Sequence, residues 1–324
     1  MTSVNYISNK LFMMAKPDGE SIPLLFEENF LDYHAGQIIQ DPRVAIIELV
    51  ANSWDAGATK VEIRYPEENN DIFFIKDNGT GLTTEEFKLR WNNLHYNRIK
   101  HQGKDVTFPS GSKNKKRLAF GKNGVGRHAM FCFCDGYTLE TIKDNIYTKA
   151  SIKRSKSDKP FEIKIEDTKP KKGHGTTISG RILKNNELRE QSIVDLIGSK
   201  FVADPEFTII VNTTKVDLMD LNAQNIIKEF PYENLGKVII RRFEGEKYKT
   251  TQQQGVAWWV QRRLVGTPSW DGVNGRLIDG RNPIAKKYVY VIEADFLKPF
   301  VKQDWSGFHA NSDIKNQTRY IRLY

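Results

Sequence analysis

The sequence predicts an α+β chain, a larger mixed domain followed by a smaller α/β one. Three observations carry this. A proline-opened segment at Asp41-Pro42 places Val44, Ile47, Val50 and Ala51 at helical spacing. Short alternating segments follow in quick succession, beginning with 60–65 and 71–76. Beyond a boundary near 220–235, apolar strand-like runs return at 236–243, 255–260 and 287–293. With 324 residues and 39% hydrophobic content, the chain can fill one large domain or two of ordinary size.

The elements follow in order. A short helix is expected near Glu27 to Gln37. The Pro42 helix ends at Gly57, a residue suited to a helix stop. Lys60 to Tyr65 and Asp71 to Lys76 alternate as strands and form a hairpin across 66–70. A helix is expected over 84–95. From Arg98 to Lys116 the chain is polar, basic and glycine-containing, a long loop that reads as a functional lid or as disorder. A helix should begin near Val125. Strands are expected at 137–142, 146–152, 161–166 and 175–182, then a helix from Glu187 to Ile197. Phe207 to Asn212 reads as a strand, with Lys215 to Leu218 pairing nearby.

Net charge is +9, clustered in 98–122 and 149–172. Solvated loops and strand faces account for about half of that reading, and phosphate or weak nucleic-acid contacts through a field effect account for the rest. No apolar run approaches the roughly 20 residues of a membrane span. The first residues lack the basic-then-apolar pattern of a secretion signal. Cys132 and Cys134, spaced to face opposite sides of a strand, argue against zinc and for a reducing, cytoplasmic setting, or a nuclear one in a eukaryote. The end at Tyr324 points to a chain that continues or to a short native protein.

Three segments carry chemistry. In Glu48-Leu-Val-Ala-Asn52-Ser-Trp-Asp55-Ala56, the residues Glu48, Asn52 and Asp55 share one helical face. Asn52 offers a carbonyl oxygen to a hard cation such as magnesium. Glu48, one turn earlier, can take a proton from a water in line with a phosphate. In Asp77-Asn78-Gly79-Thr80-Gly81 a strand-end carboxylate can accept an adenine amine, and Gly79 and Gly81 let the backbone approach the base. In Gly121-Lys122-Asn123-Gly124-Val125-Gly126-Arg127, successive amides at a helix start suit phosphate oxygens. Lys122 and Arg127 could add charge there, and Asn123 could reach phosphate or magnesium. The segment is not a P-loop, because no Gly-Lys-Ser/Thr is present. Thr177, favoured over Thr176, precedes an alternating strand.

Together these segments resemble the nucleotide site of the ATPase superfamily of gyrase, the 90-kDa heat-shock chaperones, histidine kinases and MutL. The resemblance covers roughly residues 40–310. It implies a Bergerat fold, a mixed sheet covered by helices on one face, over residues 1–220, with an ATP lid at about 98–120. A smaller ribosomal-S5-like α/β transducer domain would fill 221–324. By the same resemblance Glu48 is the general base, Asn52 the magnesium ligand, Asp55 part of the adenine and ribose side, Asp77 the adenine residue and Thr177 its neighbour. Val260-Gln-Arg262-Arg263-Leu264-Val265 is similar to a transducer strand end. Phe300-Val301-Lys302-Gln303-Asp304-Trp305 looks like the Lys-Gln-Asp-aromatic segment of MORC ATPases, which makes Lys302 the γ-phosphate lysine, ahead of Lys298 and Arg263. The wording around Gly121 differs from the MORC pattern. The implied activity is magnesium-dependent binding and slow hydrolysis of ATP that drives homodimerisation, as a clamp on DNA or in bacterial defence. A chaperone ATPase, a histidine-kinase-like phosphotransferase and a non-hydrolysing sensor are the alternatives, with a DNA or protein partner left open and no membrane involved.

Overall fold

The computed structural model describes residues 40–310, apart from 67–70, 94–95, 113–116, 122–123, 156–160, 184–187, 202–206, 217–225, 233, 245–254, 273–274, 278, 280 and 284–287, together with residues 314, 318 and 321. The helix expected at 27–37 lies outside them.

Helix α1 (Pro42–Asp55) starts where the proline predicts. The Asp41 carboxylate accepts from the Arg43 amide, and Pro42 stands in the first turn, where its missing donor costs nothing. Apart from Asn52, every residue from Ala45 to Trp54 is buried, so this helix is enclosed on all sides rather than along one stripe. Its last ring, Trp54, stacks on Phe120 with centroids 5.0 Å apart and meets Phe207 edge-on.

Strands β1 (Lys60–Arg64) and β2 (Ile72–Asp77) form the expected hairpin, with Ile63 opposite Ile75. Helix α2 (Thr84–Trp91) follows, opened by a capping box between Thr83 and Glu86. The stretch beginning at Arg98 was expected as loop. Instead residues Arg98–Gln102 form a short helix α3, capped by the Asn97 side chain. Arg98 and Arg117 are buried, which corrects the solvated-loop reading at those two positions. The Arg117 guanidinium lies 3.9 Å from the Trp54 ring centroid and donates to the Ala58 carbonyl at 2.6 Å.

Val125–Cys132 is a 3-10 helix rather than an α-helix. The segment is short, contains Gly126 and has no side-chain cap, so little favours a regular α-turn there. Cys132 and Cys134 lie at its end rather than on a strand, and neither is in a disulfide. Burial pushes the Cys134 thiol up to about 12.

Strands β3 (Gly136–Lys143), β4 (Ile146–Arg154), β5 (Phe161–Pro170) and β6 (Gly175–Arg181), helix α4 (Glu190–Lys200), and strands β7 (Thr208–Val211) and β8 (Thr214–Lys215) complete the first sheet region. The sheet order is β5-β4-β3-β6-β2-β1-β7-β8. Its pairs are antiparallel except β1 with β7, so the sheet is mixed. Burial alternates along β1 and β3, so one face is covered and the other meets solvent. Helix α1 packs against the 3-10 helix and α4 over the covered face.

A second mixed sheet has the order β12-β11-β15-β10-β9. Its strands are β9 (Ile226–Tyr232), β10 (Gly236–Glu244), β11 (Gly255–Val260), β12 (Arg263–Ser269) and β15 (Tyr288–Glu293). A small ribbon, β13 (Asp271–Gly272) with β14 (Gly275–Arg276), lies between them in sequence. Strand β9 falls within the boundary region expected at 220–235. It carries Pro231, which a sheet edge tolerates because the missing donor breaks no ladder. β11 turns into β12 through Gln261 and Arg262, at φ 51° and 67°. Such a turn favours glycine or asparagine, and neither residue announces it. One apolar cluster runs from Ala45 and Val50 on α1 through Phe120 to Val238, Ile240 and Ile292 on the second sheet.

Candidate nucleotide site

A cavity of about 140 Å³ opens among α1, the β2–α2 turn and the glycine segment at Gly121. Its apolar walls include Leu49, Ile75, Leu82 and Ile178, and Asp77 and Asp55 are its carboxylates. Asp77 ends β2, where Ser53 Oγ donates to its Oδ2 at 3.4 Å and the Gly79 amide to its Oδ1 at 2.8 Å. Burial raises its pKa to about 6, against these hydrogen bonds, which favour the charged form. The turn that follows admits only glycine at Gly81: its φ is 68°, and an added Cβ would stand 2.0 Å from the Ile142 carbonyl oxygen.

Along α1, Asn52 and Asp55 line the cavity. Asp55 accepts the Phe120 amide at 2.7 Å and the Gly121 amide at 2.8 Å, so the helix end holds the start of the glycine segment. Burial raises its pKa, opposed first by Arg98, whose Nε is 3.9 Å from Oδ2, and then by those amides. The resemblance gave Asp55 to the adenine and ribose side; its bonds here also fasten the glycine segment.

Gly121, Gly124 and Arg127 line the opposite wall. Arg127 is buried, with Nε donating to the Gly124 carbonyl at 2.5 Å. Its Nη1 has no hydrogen-bond partner among the described residues. Burial, and then the nearby Arg90, lower its pKa to about 10. Arg90 and Arg98 line the same cavity, so three guanidinium groups surround it. A buried donor without a partner beside two further cations is a site an anion would satisfy.

Glu48 does not line the cavity. It sits one helical turn before Asn52, 8% exposed, and an added Cβ at Gly126 would stand 2.5 Å from its Oε2. Its Oε1 accepts from Arg263 Nη2 at 2.7 Å. Gly79 shapes the turn through Asp77 rather than lining the cavity. Thr176, not Thr177, faces the cavity, because strand alternation sends Thr177 to the other face and puts Thr176 and Ile178 on this one. Val125 starts the 3-10 helix, while Lys122 and Asn123 lie outside the described residues. Lys302 is exposed and does not line the cavity. The segment around it turns so that Trp305, at φ 58°, packs inward against Phe120 while Lys302 faces outward. Lys298 points in instead, donating to the Phe120 carbonyl and lying 4.2 Å from the Trp305 ring centroid.

Sequence reasoning missed Arg90, Trp91, Tyr96 and Gln102 as wall residues, and it singled out Arg98 only for its charge. No spacing rule marks them, because α2, α3 and the connection between them bring them in from outside the three motifs. Ser53 lay inside the first motif, and its position beside Asn52 was the signal available.

A carboxylate among apolar walls, a helix amide and an arginine-lined glycine segment define a nucleotide-binding domain on a mixed sheet. Residues 40–189 match the family described as histidine kinase-, DNA gyrase B-, and HSP90-like ATPases. That match and the relatives below support a GHKL, Bergerat-fold ATPase domain over this segment, related to the MutL family. The chain is 22% identical to the DNA mismatch repair protein MutL of Dictyoglomus thermophilum, over 91% of this chain and 53% of that protein. It is 22% identical to MutL of Thermosipho africanus, over 71% of this chain and 41% of that protein. A shorter stretch is 41% identical to the DNA mismatch repair protein PMS1 of Arabidopsis thaliana, over 22% of this chain and 8% of that protein. The chain thus spans about half the length, or less, of these relatives. The match supports ATP binding and hydrolysis in general terms. The residues fit magnesium as well, since Asn52 supplies a hard oxygen donor in the cavity wall and phosphate oxygens would supply others. Among the described residues no helix is long and apolar enough to cross a membrane.

Proposed function

We propose that this chain binds ATP with magnesium and hydrolyses it slowly, using closure of a homodimer to drive a conformational change. The observation that carries the reading is the shared cavity of Asn52, Asp77, Gly124 and Arg127, with Glu48 one turn along the same helix. Asp77 would accept the adenine amine, and Leu49, Ile75 and Ile178 would cover the base. The amides of 121–126 and the Arg127 guanidinium would hold phosphate oxygens. Magnesium, when bound through Asn52, would neutralise phosphate charge. Glu48 would then take a proton from water as the water oxygen bonds to the γ-phosphorus and the bond to the β-phosphate oxygen breaks, which leaves ADP and phosphate.

The layout proposed is an ATPase domain over 1–220 with a lid near 98–120, then a transducer-like domain over 221–324. The second sheet, which among the described residues pairs with no strand of the first, supports a second unit there, joined to the first through one apolar cluster. Lys302 would reach the γ-phosphate only after a rearrangement, since it starts exposed; Lys298 already stands at the glycine segment. A role on DNA is favoured over a chaperone or phosphotransfer role by the mismatch-repair relatives and by the net charge of +9. The MORC-like reading rests on 300–305 alone. The test is calorimetric titration with a non-hydrolysable ATP analogue, followed by phosphate release with and without duplex DNA. Micromolar binding and Glu48-dependent release are expected. Absence of binding in the presence of magnesium would remove the reading.

A further inference from the structure

We propose that Arg263, on the second sheet, is the positioning residue of Glu48 and fixes which carboxylate oxygen faces the phosphates. The inference rests on the proposed role of Glu48 as the base. Arg263 opens β12 directly after the left-handed turn at Gln261 and Arg262, and that turn directs its side chain inward. The residue is 2% exposed. Its guanidinium carbon lies 4.5 Å from the Trp305 ring centroid, 5.7 Å from Phe120 and 5.9 Å from Phe201, and its backbone bridges to Phe201. Three rings and a backbone bridge therefore hold this cation in place. From there Nη2 grips Glu48 Oε1 at 2.7 Å, although the two residues stand 215 positions apart.

The other oxygen is constrained too. Oε2 stands against Gly126, in the segment proposed to hold phosphate, with no room for a methyl group between them. With Oε1 engaged by Arg263, Oε2 is the oxygen left on the glycine-segment side. A carboxylate held at one oxygen keeps its aim, whereas a free glutamate samples several rotamers. The alternative is a latch that withholds the base until Arg263 swings away. The ring cage argues against it, because release would leave a buried cation without its partner. The second sheet thus touches the reaction through a fixed contact.

The experiment compares wild type, Glu48→Ala, Arg263→Gln and Arg263→Lys for ATP affinity and for phosphate release at saturating ATP. In Arg263→Gln affinity should stay within about twofold and kcat should fall about a hundredfold, the scale of a misplaced catalytic group. Arg263→Lys should fall in between, since it keeps the charge without the planar fork. If Arg263→Gln does not fold, Arg263→Lys decides: wild-type kcat in that variant overturns the inference. A raised kcat in either variant would show a latch and overturn it as well. Lost affinity with unchanged kcat would make Arg263 a binding residue, and the inference fails. Normal phosphate release in Glu48→Ala removes the base assignment itself, and the inference with it.

Discussion

The two ends of helix α1 are built differently. At the Asp77 end the parts come from 49–82 and their neighbours on β6, and a turn rich in glycine sets the geometry. At the Glu48 end the partners come from far along the chain: Gly126 and Arg263. The base-recognising end is held within the first sheet region, while the phosphate end depends on the second sheet. Binding and hydrolysis should therefore separate under mutation.

The largest separation is expected from Glu48→Ala. Loss of a general base should lower phosphate release by about a thousandfold, with ATP affinity retained in calorimetry. Equal loss of both would mean the two ends act as one unit. Asp77→Asn should do the reverse and weaken ATP binding by about a hundredfold, through loss of a hydrogen bond to a charged acceptor; wild-type affinity would erase the contrast.

The same substitution sharpens the comparison through pH. The folded pKa of Asp77, about 6, lies above its unfolded value of 3.8. Its favourable contribution to folding is complete below the unfolded value and is lost as pH rises through the folded one. An asparagine does not titrate, so thermal melts of Asp77→Asn against wild type should show a more favourable difference at pH 7.5 than at pH 4, by about 1–3 kcal/mol. A constant difference would show that Asp77 is not strained by burial.

Arg127→Gln should weaken nucleotide binding by about tenfold, with more lost for ATP than for adenosine, because the contact is to phosphate. Equal losses for both ligands would place Arg127 at the wrong end. The smallest expected effect separates two adjacent threonines. Thr176→Val should change affinity by about two- to threefold, the cost of one weak hydrogen bond, while Thr177→Val should leave it unchanged. The opposite ranking would restore the sequence-based preference for Thr177.

The legibility of the molecule divides along the same line. Helix α1, the β1–β2 hairpin and the cavity residues Asn52, Asp77, Gly81, Gly121 and Gly124 were readable because short-range periodicity and turn chemistry specify them. Arg98 and Arg117 were misread because charge predicts exposure unless aromatic faces and carbonyls are available to receive a guanidinium, and those come from distant segments. Strand β9 was hidden by a proline tolerated only at an edge, and sequence does not say which strands are edges. The contact of Arg263 with Glu48 had no local signal at all, since nothing in the spacing of either motif refers to the other.

The two amide bonds that Asp55 accepts from Phe120 and Gly121 span some 65 residues. Bringing those segments together costs loop-closure entropy that no nearby contact offsets in advance. Along the folding route, α1 and its hairpin can form early from neighbouring contacts. A contact of that span is the costlier one to form first, so ATP bound at the cleft should slow unfolding more than it speeds refolding.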